Sequence, residues 1–112
     1  PVIERIDWTA NTIYSQYSSE TNMFLLDSEH KLQKKFYVKN SYDQVFKCLS
    51  NGTSTVNPNG SLSTIEPFMN FAYDSISGYI ESVDGYKWKY LYTIDSGLKL
   101  KSNFLEYYKE YF

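Results

Sequence analysis

Cys48 and His30 are the single cysteine and the single histidine of the chain, and a thiolate nucleophile needs a base of that kind beside it. His30 lies in "DSEHK", a polar stretch that reads as an exposed turn. A small buried thiol is the simpler reading of Cys48. A Ser-His-Asp arrangement would have to draw on the same His30. Asp27, Glu29 and Glu66 stand at no spacing that pairs two carboxylates for acid–base work. A zinc site needs three or four ligands, and one sulfur with one imidazole falls short. The glycines are isolated, so no phosphate-cradling loop is present. "NGT" at 51–53 and "NGS" at 59–61 match the glycosylation acceptor pattern, but Asn-Gly is equally a turn signal. The expectation from these residues is no catalytic centre, no cofactor and no metal.

Composition narrows the classes further. Aromatic residues make up 19% and charged residues 21% of the 112, with a net charge of −2. That is too many rings and too little net charge for a disordered segment. It also lacks the basic footprint of a nucleic-acid binder. No apolar run reaches the length of a membrane span, and no charged-then-apolar leader opens the chain. Neither nucleic acid nor membrane is expected as a partner. One cysteine excludes an intramolecular disulfide and suits folding in a reducing compartment. A start at Pro1 and a finish in "EYYKEYF" predict a piece of a longer protein, with some apolar surface covered by its missing parts.

The elements that would position any site are mostly strands. Phe36–Lys39 is β-rich, "KNSYD" is a turn composition, and Tyr42–Leu49 alternates, so 36–49 predicts a β-hairpin closed by Asn51-Gly52. In its second strand, Tyr42, Gln44, Phe46 and Cys48 fall on one side, with Asp43, Val45, Lys47 and Leu49 on the other. Residues 50–66, rich in Ser, Thr, Asn, Gly and Pro, read as an exposed loop with at most a brief extended pairing. Three stretches stay open: 13–17 as a short helix or strand, 23–35 as strand-and-turn or a helical turn, and 68–83 as either period.

"DGYKWKYLYTI", 84–94, is the strongest strand. Alternation puts Tyr86, Trp88, Tyr90, Tyr92 and Ile94 on one face and Lys87, Lys89, Leu91 and Thr93 on the other. A stacking platform for single strands puts rings and positive charge along one groove. Here they point apart, so the ring face reads as core. Ser96-Gly97 ends the strand. Phe104, Tyr107, Tyr108 and Tyr111 share a helical side in the last nine residues, with Ser102 or Asn103 as cap. The fold class expected is mainly β, or α+β if that helix forms: a single module over 1–112 built on an antiparallel sheet with long loops.

Three segments carry a family resemblance: "VIERIDW" (2–8), "FYVKNSYDQVFKCLSNG" (36–52) with "STIEP" (63–67), and "DGYKWKYLYTI" (84–94). In order and spacing they resemble the baseplate wedge protein of T4-like contractile-tailed phages, the dimeric subunit at the outer part of the wedge. The segment 68–83 departs from it as an insertion, and the tail after Ile94 has no counterpart. The resemblance implies a virion structural protein of the tail baseplate, assembled in the host cytoplasm and without catalysis. It implies a mostly β subunit that pairs as a homodimer and contacts other baseplate wedge proteins. No interface residue follows, because an aromatic in a core and one in an interface read alike. Two rivals stand beside it: a receptor- or glycan-binding β module of a phage tail, warranted by the aromatic load and the 50–66 loop, and an enzyme using Cys48 with His30.

Overall fold

The computed structural model describes residues 4–72 and 78–95. They form one antiparallel sheet of four strands: β1 (Tyr37–Lys39), β2 (Gln44–Asn51), β3 (Tyr79–Glu81) and β4 (Tyr86–Thr93), in the order β1-β2-β4-β3. The mainly β expectation holds, and no helix occurs among the described residues. The helix expected over the last nine residues, its cap and the Ser96-Gly97 stop lie outside them.

The hairpin forms where the alternation placed it, with Val38 opposite Phe46. Its turn is held by a side chain. Asn40 Oδ1 accepts from the backbone N–H of Tyr42 and of Gln44, both at 2.9 Å. Asp43 sits at φ 61°, a left-handed conformation that Asp tolerates better than most residues. The β3–β4 turn closes through Gly85 at φ 93°, whose N–H donates to the Ser82 carbonyl at 3.1 Å. Beyond β1 the chain's own first segment continues the sheet. Lys39 N–H donates to Ile6, and Trp8 N–H donates to Lys39, both at 2.8 Å, in a parallel bridge.

The stretches that sequence left open are irregular. Residues 12–17 run extended and borrow partners piecemeal, Ser15 N–H from Lys35 (2.9 Å) and Tyr17 N–H from Cys48 (2.8 Å). Residues 26–32 form a tight turn with a Leu26–Leu32 bridge. Asp27 Oδ1 accepts from Glu29 and Lys31 N–H inside it. The 50–66 loop makes the brief pairing expected of it, Thr12 with Ser63.

Two register shifts alter the faces of the sheet. Cys48 pairs with Trp88 and Ser50 with Lys87, so Leu49 is an extra residue in β2. Val45 pairs with Tyr92 and Phe46 with Tyr90, so Leu91 is an extra residue in β4. A bulge resets the alternation. Tyr86, Trp88 and Tyr90 therefore share a face with Phe46 and Cys48, whereas Tyr92 turns to the side of Val45. This corrects the single ring-bearing face read from 86–94. It also explains why Val45 and Phe46, neighbours on opposite sides of β2, are both fully buried.

The core centres on Trp88. Tyr86 stacks on it with ring centres 5.3 Å apart and planes 14° apart, and Tyr14 meets it edge-on at 5.6 Å. Phe36, Phe46, Cys48 and Met69 belong to the same buried cluster. Trp88 Nε1 has no hydrogen-bond partner among the described residues. Its contribution is thus volume and ring contact alone. Trp88→Ala should cost about 3–5 kcal/mol in urea unfolding. Trp88→Phe, which keeps a ring and leaves no donor stranded, should cost about 2 kcal/mol less. A loss below about 1 kcal/mol for the alanine variant would contradict this packing.

Candidate functional site

The residues with chemistry to offer are placed apart and mostly held. Cys48 is fully buried in β2, and burial pushes its thiol up to about 12. At neutral pH it is a protonated apolar filler, not a thiolate. His30 stands at φ 63° in the exposed 27–31 turn, and no hydrogen bond joins it to Cys48. The backbone N–H groups of Lys31 and Glu29 hold the Asp27 carboxyl below its usual range. Glu66 Oε2 accepts from Ser41 N–H at 2.7 Å. These carboxylates brace turns. Among the described residues no group of three His, Cys, Asp or Glu could hold a metal ion. Asn51, first residue of one acceptor pattern, is buried and donates from Nδ2 to the Tyr14 carbonyl at 2.8 Å. Asn59, first residue of the other, is exposed.

Tyr86 and Trp88 are enclosed, so the aromatic strand offers them to no ligand. Several rings elsewhere are exposed, among them one in the turn from β1 to β2 and two in the segment after the 50–66 loop. Tyr42 in that turn is 65% exposed, Phe68 44% and Phe71 53%. Tyr42 meets Phe68 with ring centres 4.9 Å apart, and Phe71 meets the half-buried Tyr90 at 5.2 Å. Phe68 and Phe71 are three residues apart, so the two separate ring pairs share one segment, an aromatic ridge along the chain.

Two buried carboxamides fix the ridge. Gln44 Nε2 donates to the Met69 carbonyl and Gln44 Oε1 accepts from the Met69 N–H, both at 2.9 Å. A side chain thus imitates the two-point pairing of a neighbouring strand. Asn40 Nδ2 donates to the Pro67 carbonyl at 2.8 Å and to Gln44 Oε1 at 2.9 Å. With Pro67 and Met69 drawn inward and buried, Phe68 between them must face outward. Neither clamp was expected from sequence, where Asn40 read as a turn residue and Gln44 as one position of a strand.

A second surface carries charge. Lys47 and Lys89 are direct cross-strand neighbours. Burial, and then Lys89, push the Lys47 ammonium below its usual range. Each lysine lies against a ring: Lys47 Nζ is 4.2 Å from the centre of Tyr17, and Lys87 and Lys89 lie 5.1 and 5.8 Å from that of Tyr79. Ring faces attract cations and offset the repulsion between like charges. A further apolar exposure is the run Phe24, Leu25, Leu26, whose Phe24 ring packs edge-on to buried Phe36 at 5.4 Å.

What these surfaces can do is bind. Partly exposed aromatics are what protein interfaces use as anchors. No family model, curated protein or solved structure matches the chain.

Two measurements check this site. Gln44→Ala strands the Met69 N–H and carbonyl, so it should cost about 3 kcal/mol and speed amide exchange at Met69. An unchanged exchange rate there would refute the clamp. The second concerns pH. The unfolded thiol ionises near 9.0 and the folded one near about 12. Above pH 9.0 the unfolded chain releases a proton that the folded chain keeps. Stability is therefore intact below pH 9.0 and falls as pH rises toward about 12. Tyr86, raised from 10.0 to about 12, acts in the same direction. Cys48→Ala should show a shallower alkaline fall in urea midpoint than the parent, and an identical slope would contradict the buried thiol.

Proposed function

We propose that the chain is a structural component of a phage contractile-tail baseplate wedge, contributing protein–protein contacts in baseplate assembly. The observation that carries this reading is the two partly exposed ring pairs, Tyr42–Phe68 and Phe71–Tyr90, on a segment that Gln44 clamps at Met69. Anchors for a large assembly need to be preorganised, because ordering them on binding costs affinity. The ordered segments 2–8, 36–52 with 63–67, and 84–94, with their resemblance to the outer wedge subunit, support this identity of the assembly. On this reading the partners are other baseplate wedge proteins and a second copy of the subunit in a homodimer. The location is the virion tail, after assembly in the host cytoplasm. No catalytic step is assigned.

A receptor- or glycan-binding module of a phage tail is the second reading. Tyr42 favours it, because an exposed ring beside a polar turn suits the apolar face of a sugar. Both readings place the contact on the same ridge, so the test must separate them.

Quantitative peptide mass spectrometry on purified virions and isolated tails is that test. The wedge reading expects peptides of this chain at a fixed ratio to other baseplate proteins and enriched in tails. Virions assembled with Phe68→Ser and Phe71→Ser should lose tail incorporation while the isolated domain keeps its unfolding midpoint within about 1 kcal/mol. Absence from particles would overturn the reading. Normal incorporation of the variant with lost host attachment would favour the glycan module.

A further inference from the structure

The two Asn-Gly pairs of the chain, similar in sequence, sit in opposite chemical situations. Asn51 ends β2 with its carboxamide locked: Nδ2 donates to Tyr14, and Oδ1 accepts from the backbone N–H and the hydroxyl of Thr53. Asn59 is exposed, and its carboxamide makes no hydrogen bond among the described residues. It occupies the third place of a turn, Asn57-Pro58-Asn59-Gly60, in which the Gly60 N–H donates to the Asn57 carbonyl at 3.0 Å. Asn first, Pro second and Gly fourth are the preferences of a type I turn.

Glycine at 60 is imposed by the fold. Its φ is 105°, and a Cβ there would stand 2.6 Å from Asn51 Nδ2 and 2.8 Å from Asn51 Cγ. A neighbour with no side chain to shield its nitrogen is therefore fixed in place beside a free carboxamide, and that nitrogen becomes a nucleophile when the Gly60 N–H leaves the Asn57 carbonyl.

We propose that Asn59 is a site of spontaneous succinimide formation and conversion to isoaspartate, and that the conversion loosens the domain through Asn51. The Gly60 nitrogen, its proton taken by hydroxide, bonds to Asn59 Cγ. The Cγ–Nδ2 bond breaks, and Nδ2 leaves as ammonia with a proton from water. A water molecule then opens the ring at either carbonyl, giving aspartate or isoaspartate. One water is consumed and one ammonia released, with no change of oxidation state. Isoaspartate routes the main chain through the side-chain methylene, adding one atom to the backbone immediately before Gly60.

That atom has nowhere to go. Gly60 packs on Asn51. Ser61 N–H is bound to the Asn51 carbonyl at 2.8 Å, and Ser61 Oγ to the Asp84 carbonyl at 2.7 Å. The Ser61 carbonyl accepts from the Tyr86 hydroxyl at 2.8 Å, which in turn accepts from Tyr14 N–H at 2.9 Å. Displacing Gly60 disturbs the polar hub beside the Tyr14–Tyr86–Trp88 rings.

The test is peptide mapping of the whole chain aged at mildly alkaline pH, with enzymatic methylation to count isoaspartate. Isoaspartate should accumulate at 59, and at 51 at least about tenfold more slowly while the protein is folded. In urea both should react. Equal rates at 51 and 59 in the folded protein, or an Asn59 that reacts only in urea, would overturn the site. Charge-separated isoaspartyl protein should unfold at lower urea than Asn59→Asp, which has the same charge and an ordinary backbone. Equal midpoints would overturn the link to Asn51.

Discussion

Burying a loop means burying its peptide groups, and each one left unpaired costs about 1–3 kcal/mol. This sheet has two long strands and two three-residue strands, so ladder bonds alone cannot satisfy the chain packed around it. Side-chain amides do that work at both ends. Asn40 and Gln44 take up the carbonyls of Pro67 and Met69 and the N–H of Met69. At the far end Asn51 takes the Tyr14 carbonyl, and the Tyr86 hydroxyl takes the Tyr14 N–H. Each amide accepts and donates at once through two separate atoms, which an ionised carboxylate, an acceptor only, could not do in the same place. The loops are irregular in shape and regular in their hydrogen bonding.

The bulges at Leu49 and Leu91 follow from a related pressure. A strictly alternating β4 would send all its rings to one side and set Leu91 rather than Tyr92 opposite Val45. One extra residue in β4 sends Tyr92 across to Val45, and the sheet acquires a buried patch on each face. The side opposite Trp88 thereby divides into an apolar end around Tyr37, Val45 and Tyr92 and a charged end where Lys47, Lys87 and Lys89 lie on tyrosine rings. The binding surfaces are what remains after this division.

Much of the scaffold was legible in the sequence, and the reason is local. The 36–49 hairpin has alternation on both sides of a turn composition, and "DGYKWKYLYT" has a turn signal followed by a long alternating run. The buried Cys48 and the exposed His30 were also readable, from an apolar strand and a polar turn. The bulge at Leu91 was not, because one extra residue leaves no mark on composition or period. The ridge was not either. Phe68, Phe71, Ala72 and Ser75 fit helical spacing while Phe71, Tyr73 and Ser75 alternate, and what turns Phe68 outward is the grip of Gln44 on Met69, 25 positions away. A clamp that joins distant residues through a side chain has no sequence period to detect. Asn51 shows the same limit, since its acceptor-like triplet says nothing of the Tyr14 carbonyl 37 positions back.

The bond from Tyr14 N–H to the Tyr86 hydroxyl spans 72 positions, and Tyr14 also finds its ring partner in Trp88. A chain made from its N-terminus therefore exposes Tyr14 long before either partner exists. At ordinary elongation rates the wait is roughly 4–14 s. The parallel contact of residues 6–8 with Lys39 can form earlier, but it gains its cover only when β4 arrives to complete β2. Such dependence on distant contacts slows folding, and it makes the ribosome's pace part of how the sheet is put together.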